Sequence, residues 1–269
     1  MIIFSHANSF PASTYRVMFK SLRARGYTVK AVEKFGHDPR YPVTNNWPHL
    51  VQQLSDFVQA QIDKTGQKVW LVGHSLGGIL SLMLAVKRPE FTKGLVLIDA
   101  PLLSGWRSTA LEIIKGTPLS GSLLPSRLSR QRRTAWDSIE QTVAHFRPKK
   151  AFADWDDQVL LDYATYGTTE LNGRRNLAFD RSVETDIYNT LPDNLDQILK
   201  RHPLKCPASF IGGIQSWESK TFGLSMTERL TKGRVIMLDG SHLFPMERPI
   251  ATAAAIETAL RNMGSASDD

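Results

Sequence analysis

Six short apolar runs alternate with amphipathic stretches along this chain, and that alternation restricts the fold more than any other feature of the sequence. The runs span residues 2–4, 28–32, 69–72, 95–98, 209–211 and 235–238. Each is short, nearly continuous in apolar side chains and rich in β-branched residues, the pattern of a strand covered on both faces. Helical spacing fills the gaps: Tyr15, Met18, Phe19 and Leu22; Leu50, Val51, Leu54, Phe57, Val58 and Ile62; Ile250, Ala254, Ile256, Ala259 and Leu260. Strand and helix in alternation predict an α/β fold, a doubly wound and mostly parallel sheet with helices on both sides.

The alternation stops between about residues 104 and 203, where the chain turns polar and helical with Trp106, Trp136, Phe146, Phe152, Trp155, Tyr163 and Tyr166 spread through it. This predicts a core of residues 1–103 and 204–263, a helical cap insertion at 104–203, and a flexible tail at 264–269. The aromatics read as the insertion's own core before they read as a pocket lining.

With 42% hydrophobic and 22% charged residues the chain has the composition of a globular domain. No apolar run reaches membrane-spanning length, so no membrane partner is expected. A net charge of +7 invites a nucleic-acid reading. The basic cluster Arg127, Arg130, Arg132 and Arg133 lacks interleaved aromatics, however, and reads as a solvated helix face. No nucleic-acid partner is expected. The single cysteine, Cys206, sits beside Pro207 and reads as a small core residue, and Met1 leads into Ile2, Ile3 and Phe4 without the basic start of a signal peptide. These features predict the cytoplasm.

Chemistry enters at Val69-Trp70-Leu71-Val72, which runs into Gly73-His74-Ser75-Leu76-Gly77-Gly78 and then a helical pattern through Leu80, Leu84 and Ala85. This is G-x-S-x-G in a strand-turn-helix context, the turn that presents a serine nucleophile at a helix N-terminus. Glycines at 73 and 77 let strand and helix approach closely. His74 leaves the turn in a different direction from Ser75 and reads as structural.

The sequence resembles the α/β-hydrolase superfamily along nearly its whole length outside the insertion. The resemblance rests on His6-Ala7-Asn8-Ser9-Phe10-Pro11, on Gly73-His74-Ser75-Leu76-Gly77-Gly78, on Leu95-Val96-Leu97-Ile98-Asp99, and on Gly240-Ser241-His242-Leu243-Phe244-Pro245-Met246-Glu247-Arg248-Pro249. It implies Ser75 as nucleophile and His242 as general base. It also implies an oxyanion hole from the backbone N–H groups of Asn8 and Leu76, with Ala7 in place of the family's usual glycine and His6 as an anchor. Relatives commonly carry the orienting acid in the loop where this chain has Ser216. Asp99, at the end of the preceding strand, is therefore taken as the acid, and Glu218 is the alternative. Relatives usually have two strands ahead of the one that begins here, so six parallel strands are expected, with 28–32 and 235–238 at the edges. An exposed edge would favour oligomerisation.

These residues imply a serine hydrolase, carboxylesterase-like, acting on a small-molecule ester, thioester, lactone or a C–C bond beside a carbonyl, with water as second substrate. No cofactor and no metal are implied. A ligand-binding protein on the same fold, with little turnover, is the alternative.

Overall fold

Successive strand side chains point to opposite faces of a sheet, so a strand buried on both sides must be apolar at odd and even positions alike. In the computed structural model, which describes residues 1–100, 102, 132–222 and 224–264, the six apolar runs form one sheet. Its strands are β1 (Ile2–Ser5), β2 (Val29–Ala31), β3 (Val69–His74), β4 (Thr92–Ile98), β8 (Ala208–Gly213) and β9 (Val235–Leu238), in the order β2-β1-β3-β4-β8-β9. Every pairing is parallel, and β2 and β9 are the edges, as expected.

The two faces sort alternate residues of one strand into different cores. Ile2, Phe4, Trp70, Val72, Val96, Ile98 and Ile211 pack under α1 (Arg16–Ala24) and the C-terminal helix α11 (Pro249–Gly264). Ile3, Val69, Leu71, Leu95, Leu97 and Phe210 pack under α2 (Pro48–Thr65) and α3 (Leu76–Lys87). Helix α1 follows a short 3₁₀ turn, Ala12–Tyr15, and buries Met18, Phe19 and Leu22, the stripe its spacing predicts.

Between β4 and β8 the described residues hold α4 (Ile139–Phe146), α5 (Asp157–Tyr166), α6 (Arg181–Asn189) and α7 (Leu195–Arg201). They also hold a three-stranded antiparallel sheet that the helical expectation did not include: β5 (Ala135–Trp136), β6 (Thr168–Leu171) and β7 (Arg174–Leu177), in the order β5-β7-β6. Asn172 and Gly173, at φ 53° and 71°, close the β6–β7 hairpin, and Asn-Gly is the pair that most readily takes positive φ at both turn positions. Trp136, Phe146, Phe152, Trp155 and Tyr163 are buried against one another, whereas Tyr166 is exposed beneath the Arg16 guanidinium. Trp106, Arg127, Arg130 and the tail from 265 lie outside the described residues.

After β8 come α8 (Trp217–Phe222) and α9 (Ser225–Thr231), and after β9 the short α10 (Phe244–Glu247) leads into α11. Among the described residues no helix is long and apolar enough to cross a membrane.

Candidate active site

Strand β3 ends at His74 and α3 begins at Leu76, so Ser75 alone makes the turn, at φ 52° and ψ −118°. That conformation costs an L-residue about 1–3 kcal/mol and persists only where its surroundings enforce it. Here they do: the Ser75 N–H donates to the Ile98 carbonyl at 2.9 Å, and its own carbonyl accepts from Gly78 N–H at 2.9 Å. A Cβ on Gly73 would lie 2.1 Å from the Gly77 carbonyl oxygen, and one on Gly77 would lie 2.0 Å from that of Ser5. Both obstacles are backbone and cannot swing aside. Gly77→Ala is therefore expected to push α3 off β1, lowering Tm by several degrees, about 2–4 °C per kcal/mol of overpacking, and displacing Ser75. Thermal denaturation and serine-probe labelling check this; a variant with unchanged Tm and labelling refutes it.

Ser9, Ser75 and Asp99 all have positive φ, at 78°, 52° and 40°. They sit in three loops at the carboxyl ends of β1, β3 and β4, so three of the seven positive-φ non-glycine residues among the described residues meet at one end of the sheet.

Asp99 is fully buried there. Its Oδ2 lies 2.6 Å from His242 Nδ1 and 2.6 Å from Ser216 Oγ, while its Oδ1 accepts from Ser219 Oγ at 3.0 Å and from Gly213 N–H at 3.1 Å. Burial alone would raise the Asp99 pKa, but the His242 contact, the Ser216 hydroxyl and the Gly213 N–H outweigh it and hold the carboxyl below the ordinary carboxylate range. A carboxylate so placed accepts from Nδ1–H, leaving Nε2 of His242 as the free lone pair. Glu218 stands further off, with Oε2 3.7 Å from the same Nδ1, and bonds Ser216 Oγ at 3.2 Å. Ser216, where relatives carry an acid, thus donates its one hydroxyl proton over the shorter distance to Asp99. Asp99, Glu218 and His242 are also the one cluster among the described residues with spacing that would suit a metal ion.

The His242 loop is held from behind by Glu247, whose carboxylate accepts from Ser241 N–H at 3.0 Å and from the Ser241 hydroxyl. Burial pushes the His242 imidazole pKa down. The hydrogen bond to Asp99 and the charges of Glu218, Asp99 and Glu247 push it up, and the net direction is up. The Ser75 hydroxyl makes no hydrogen bond among the described residues; nucleophile–base contacts are often long before substrate binds and tighten in the complex.

Asn8 and Leu76 are buried, and among the described residues neither backbone N–H has an acceptor. One follows Ser75 directly in the chain and the other lies in the loop after β1, the strand that pairs with β3. His6 is an anchor: Nδ1–H donates to the Ala7 carbonyl at 2.8 Å and Nε2 accepts from Phe35 N–H at 3.0 Å. Burial lowers its pKa to about 4, so it stays neutral. Cys206 is half-buried, with its thiol pushed up to about 11 by burial, and lies at the other end of β8.

Arg132 departs from the solvated-face expectation. Its side chain is 14% exposed and pairs with Glu184 at 3.0 Å, and its guanidinium also reaches the Tyr163 hydroxyl. Glu184 in turn accepts from Ser9 Oγ at 2.5 Å through Oε1 and from Asn8 Nδ2 at 3.0 Å through its backbone carbonyl. Nothing local marks Glu184 in the sequence.

Six parallel strands in this order, with a serine turn between the third and its helix, are the fold of the α/β hydrolases. The chain belongs to the alpha/beta hydrolase family, whose profile it matches over residues 2–255. It is 25% identical over 130 residues to the monoglyceride lipase of Mus musculus, covering 47% of this chain and 43% of that one. It is 29% identical over 163 residues to the (lyso)-N-acylphosphatidylethanolamine lipase of Mus musculus, covering 57% and 46%. The crystal structure of E-2-(acetamidomethylene)succinate hydrolase superposes with a TM-score of 0.76 at 19% identity, over 97% of this chain and 91% of that one. The chain spans less than half the length of these curated relatives.

Proposed function

We propose that the protein is a serine hydrolase that cleaves a carboxylic ester or a related acyl bond, with Ser75 as nucleophile, His242 as base and Asp99 as the orienting acid. The observation that carries this reading is the 2.6 Å contact between His242 Nδ1 and Asp99 Oδ2 at the sheet end where Ser75 holds its positive φ. His242 Nε2 takes the Ser75 proton as Oγ attacks the acyl carbon, and Asp99 stabilises the imidazolium that forms. The N–H groups of Asn8 and Leu76 bind the oxyanion. His242 then returns the proton to the leaving group, and water activated by the same imidazole releases the acyl group from Ser75. Lipase activity in the names of two relatives supports an acyl substrate. We assign the chain to the carboxylesterase class, with a small acyl compound and water as its partners.

Attack needs neutral His242, so the rate is expected to rise with pH through an inflection above the ordinary imidazole value of about 6.5. Its direction follows from the anions around the ring. Glu218→Gln removes one of them and is expected to move the inflection to lower pH. The pH dependence of kcat/KM on a 4-nitrophenyl ester panel tests the reading, together with covalent labelling by a fluorophosphonate probe. No labelling and no turnover of any ester would overturn it.

A further inference from the structure

His74 precedes the nucleophile, is fully buried, and uses both ring nitrogens. Its Nε2 lies 2.9 Å from the backbone carbonyl of His242, and its Nδ1 lies 2.8 Å from the Tyr15 hydroxyl. Tyr15, also buried, accepts from the Ala7 N–H at 3.1 Å. The proton positions follow from the ends of this chain. A carbonyl can only accept, so His74 carries its proton on Nε2 and presents a lone pair at Nδ1. Tyr15 then donates its O–H to Nδ1 and offers its oxygen to Ala7 N–H. Every link has the same polarity, so each bond strengthens the next in a dry interior. Burial, with the neighbouring His242, lowers the His74 pKa to about 3, so the ring stays neutral and the tautomer does not switch in the working pH range.

The two ends of the string are the two loops that the chemistry needs. Ala7 immediately precedes Asn8, whose N–H the proposed function assigns to the oxyanion, and the far end is the main chain of the residue proposed as base. We propose that Tyr15 and His74 are positioning residues that hold the oxyanion loop and the histidine loop in register with each other across the nucleophile turn. This rests on the Ser75–His242 reading. Phe4 and Phe19 fix the Tyr15 ring, at 4.7 and 6.2 Å between centroids, so the hydroxyl has little freedom to find another partner. In the sequence Tyr15 passes as one more member of an apolar helical stripe, although a buried tyrosine hydroxyl signals that a polar partner is waiting.

The test compares wild type, Tyr15→Phe, His74→Leu and His74→Gln for turnover of 4-nitrophenyl acetate and for the rate of fluorophosphonate labelling. Tyr15→Phe keeps the ring and removes only the hydroxyl. It is expected to lower kcat by about ten- to a hundredfold with KM within about threefold, because loop misplacement weakens the transition state more than ground-state binding. Labelling is expected to slow in parallel. His74→Gln retains an N–H able to reach the His242 carbonyl and is expected to recover about tenfold in kcat over His74→Leu. If Tyr15→Phe loses Tm but keeps kcat, or if His74→Gln and His74→Leu are equally slow, the positioning role is wrong. Should His74→Leu fail to fold, Tyr15→Phe and His74→Gln against wild type decide. The two readings fail differently: a wild type that neither labels nor turns over sinks the serine mechanism, whereas normal wild-type labelling with unaffected variants sinks only the positioning role.

Discussion

Ser75→Ala is expected to fold as wild type does and to lose ester hydrolysis by about four to six orders of magnitude, leaving only what oxyanion donors achieve without a nucleophile. The size follows from how little else the substitution disturbs. The turn is held by backbone bonds from Ser75 N–H to Ile98 and from Gly78 N–H to Ser75, none of which involves the hydroxyl. Alanine carries no larger penalty than serine at φ 52°, so Tm is expected to stay within about 2 °C, a change of under 1 kcal/mol. Purified variant and wild type, assayed on the same 4-nitrophenyl esters and labelled with the same probe, give the answer. Retained turnover in Ser75→Ala contradicts the serine mechanism outright.

Asp99→Asn is expected to show the next largest effect, a fall in kcat of about three to four orders of magnitude. An asparagine that presents its carbonyl to Nδ1–H keeps the tautomer but not the charge that stabilises imidazolium. One that presents its amide forces the proton onto Nε2 and removes the base. Either way the variant is slow. The carboxylate also collects Ser216, Ser219 and Gly213, so some stability goes with it, about 1–3 kcal/mol by the usual cost of weakened buried hydrogen bonds. Glu218→Gln is expected to remain within about tenfold of wild type, because its oxygen stands 3.7 Å from the ring and is partly solvated. Comparing kcat for the two variants at a pH well above the inflection separates the roles. A dead Glu218→Gln beside an active Asp99→Asn reverses the assignment of the acid.

The main sheet was legible because doubly buried strands announce themselves as apolar runs, and the serine turn because its glycines stand between a strand and a helix. The choice between Asp99 and Glu218 was not legible to the same degree. It depends on whether the turn after β4 or the first turn of α8 delivers an oxygen closer to Nδ1, a difference between 2.6 and 3.7 Å that spacing along the chain does not encode. The donors that settle Asp99 into its pocket come from Gly213, Ser216 and Ser219, more than a hundred residues later in the chain. Arg132 misled for the same reason: within its own run of arginines it resembles a solvated charge, and only Glu184, 52 residues on, reveals an ion pair. The β6–β7 hairpin is a different case. Asn172-Gly173 is a strong local turn signal, and the surrounding polar, helix-like segment obscured it.

The double grip of Glu184 on Ser9 and Asn8 bears on how this scaffold diversifies. Its carboxylate holds Ser9 of the β1 loop and its main-chain carbonyl holds Asn8, the residue before, while Arg132 neutralises the charge that this burial would otherwise strand. The segment between β4 and β8 is therefore not an interchangeable module laid over a finished catalyst. A transplanted segment without an acid at this point leaves the Ser9 hydroxyl without its acceptor, although a main-chain carbonyl there still holds Asn8, and a transplanted acid without its arginine leaves an anion buried against the β1 loop. Changes to the insertion that keep the Arg132–Glu184 pair are therefore expected to leave the β1 loop seated, and changes that break it are expected to disturb that loop from a distance along the chain.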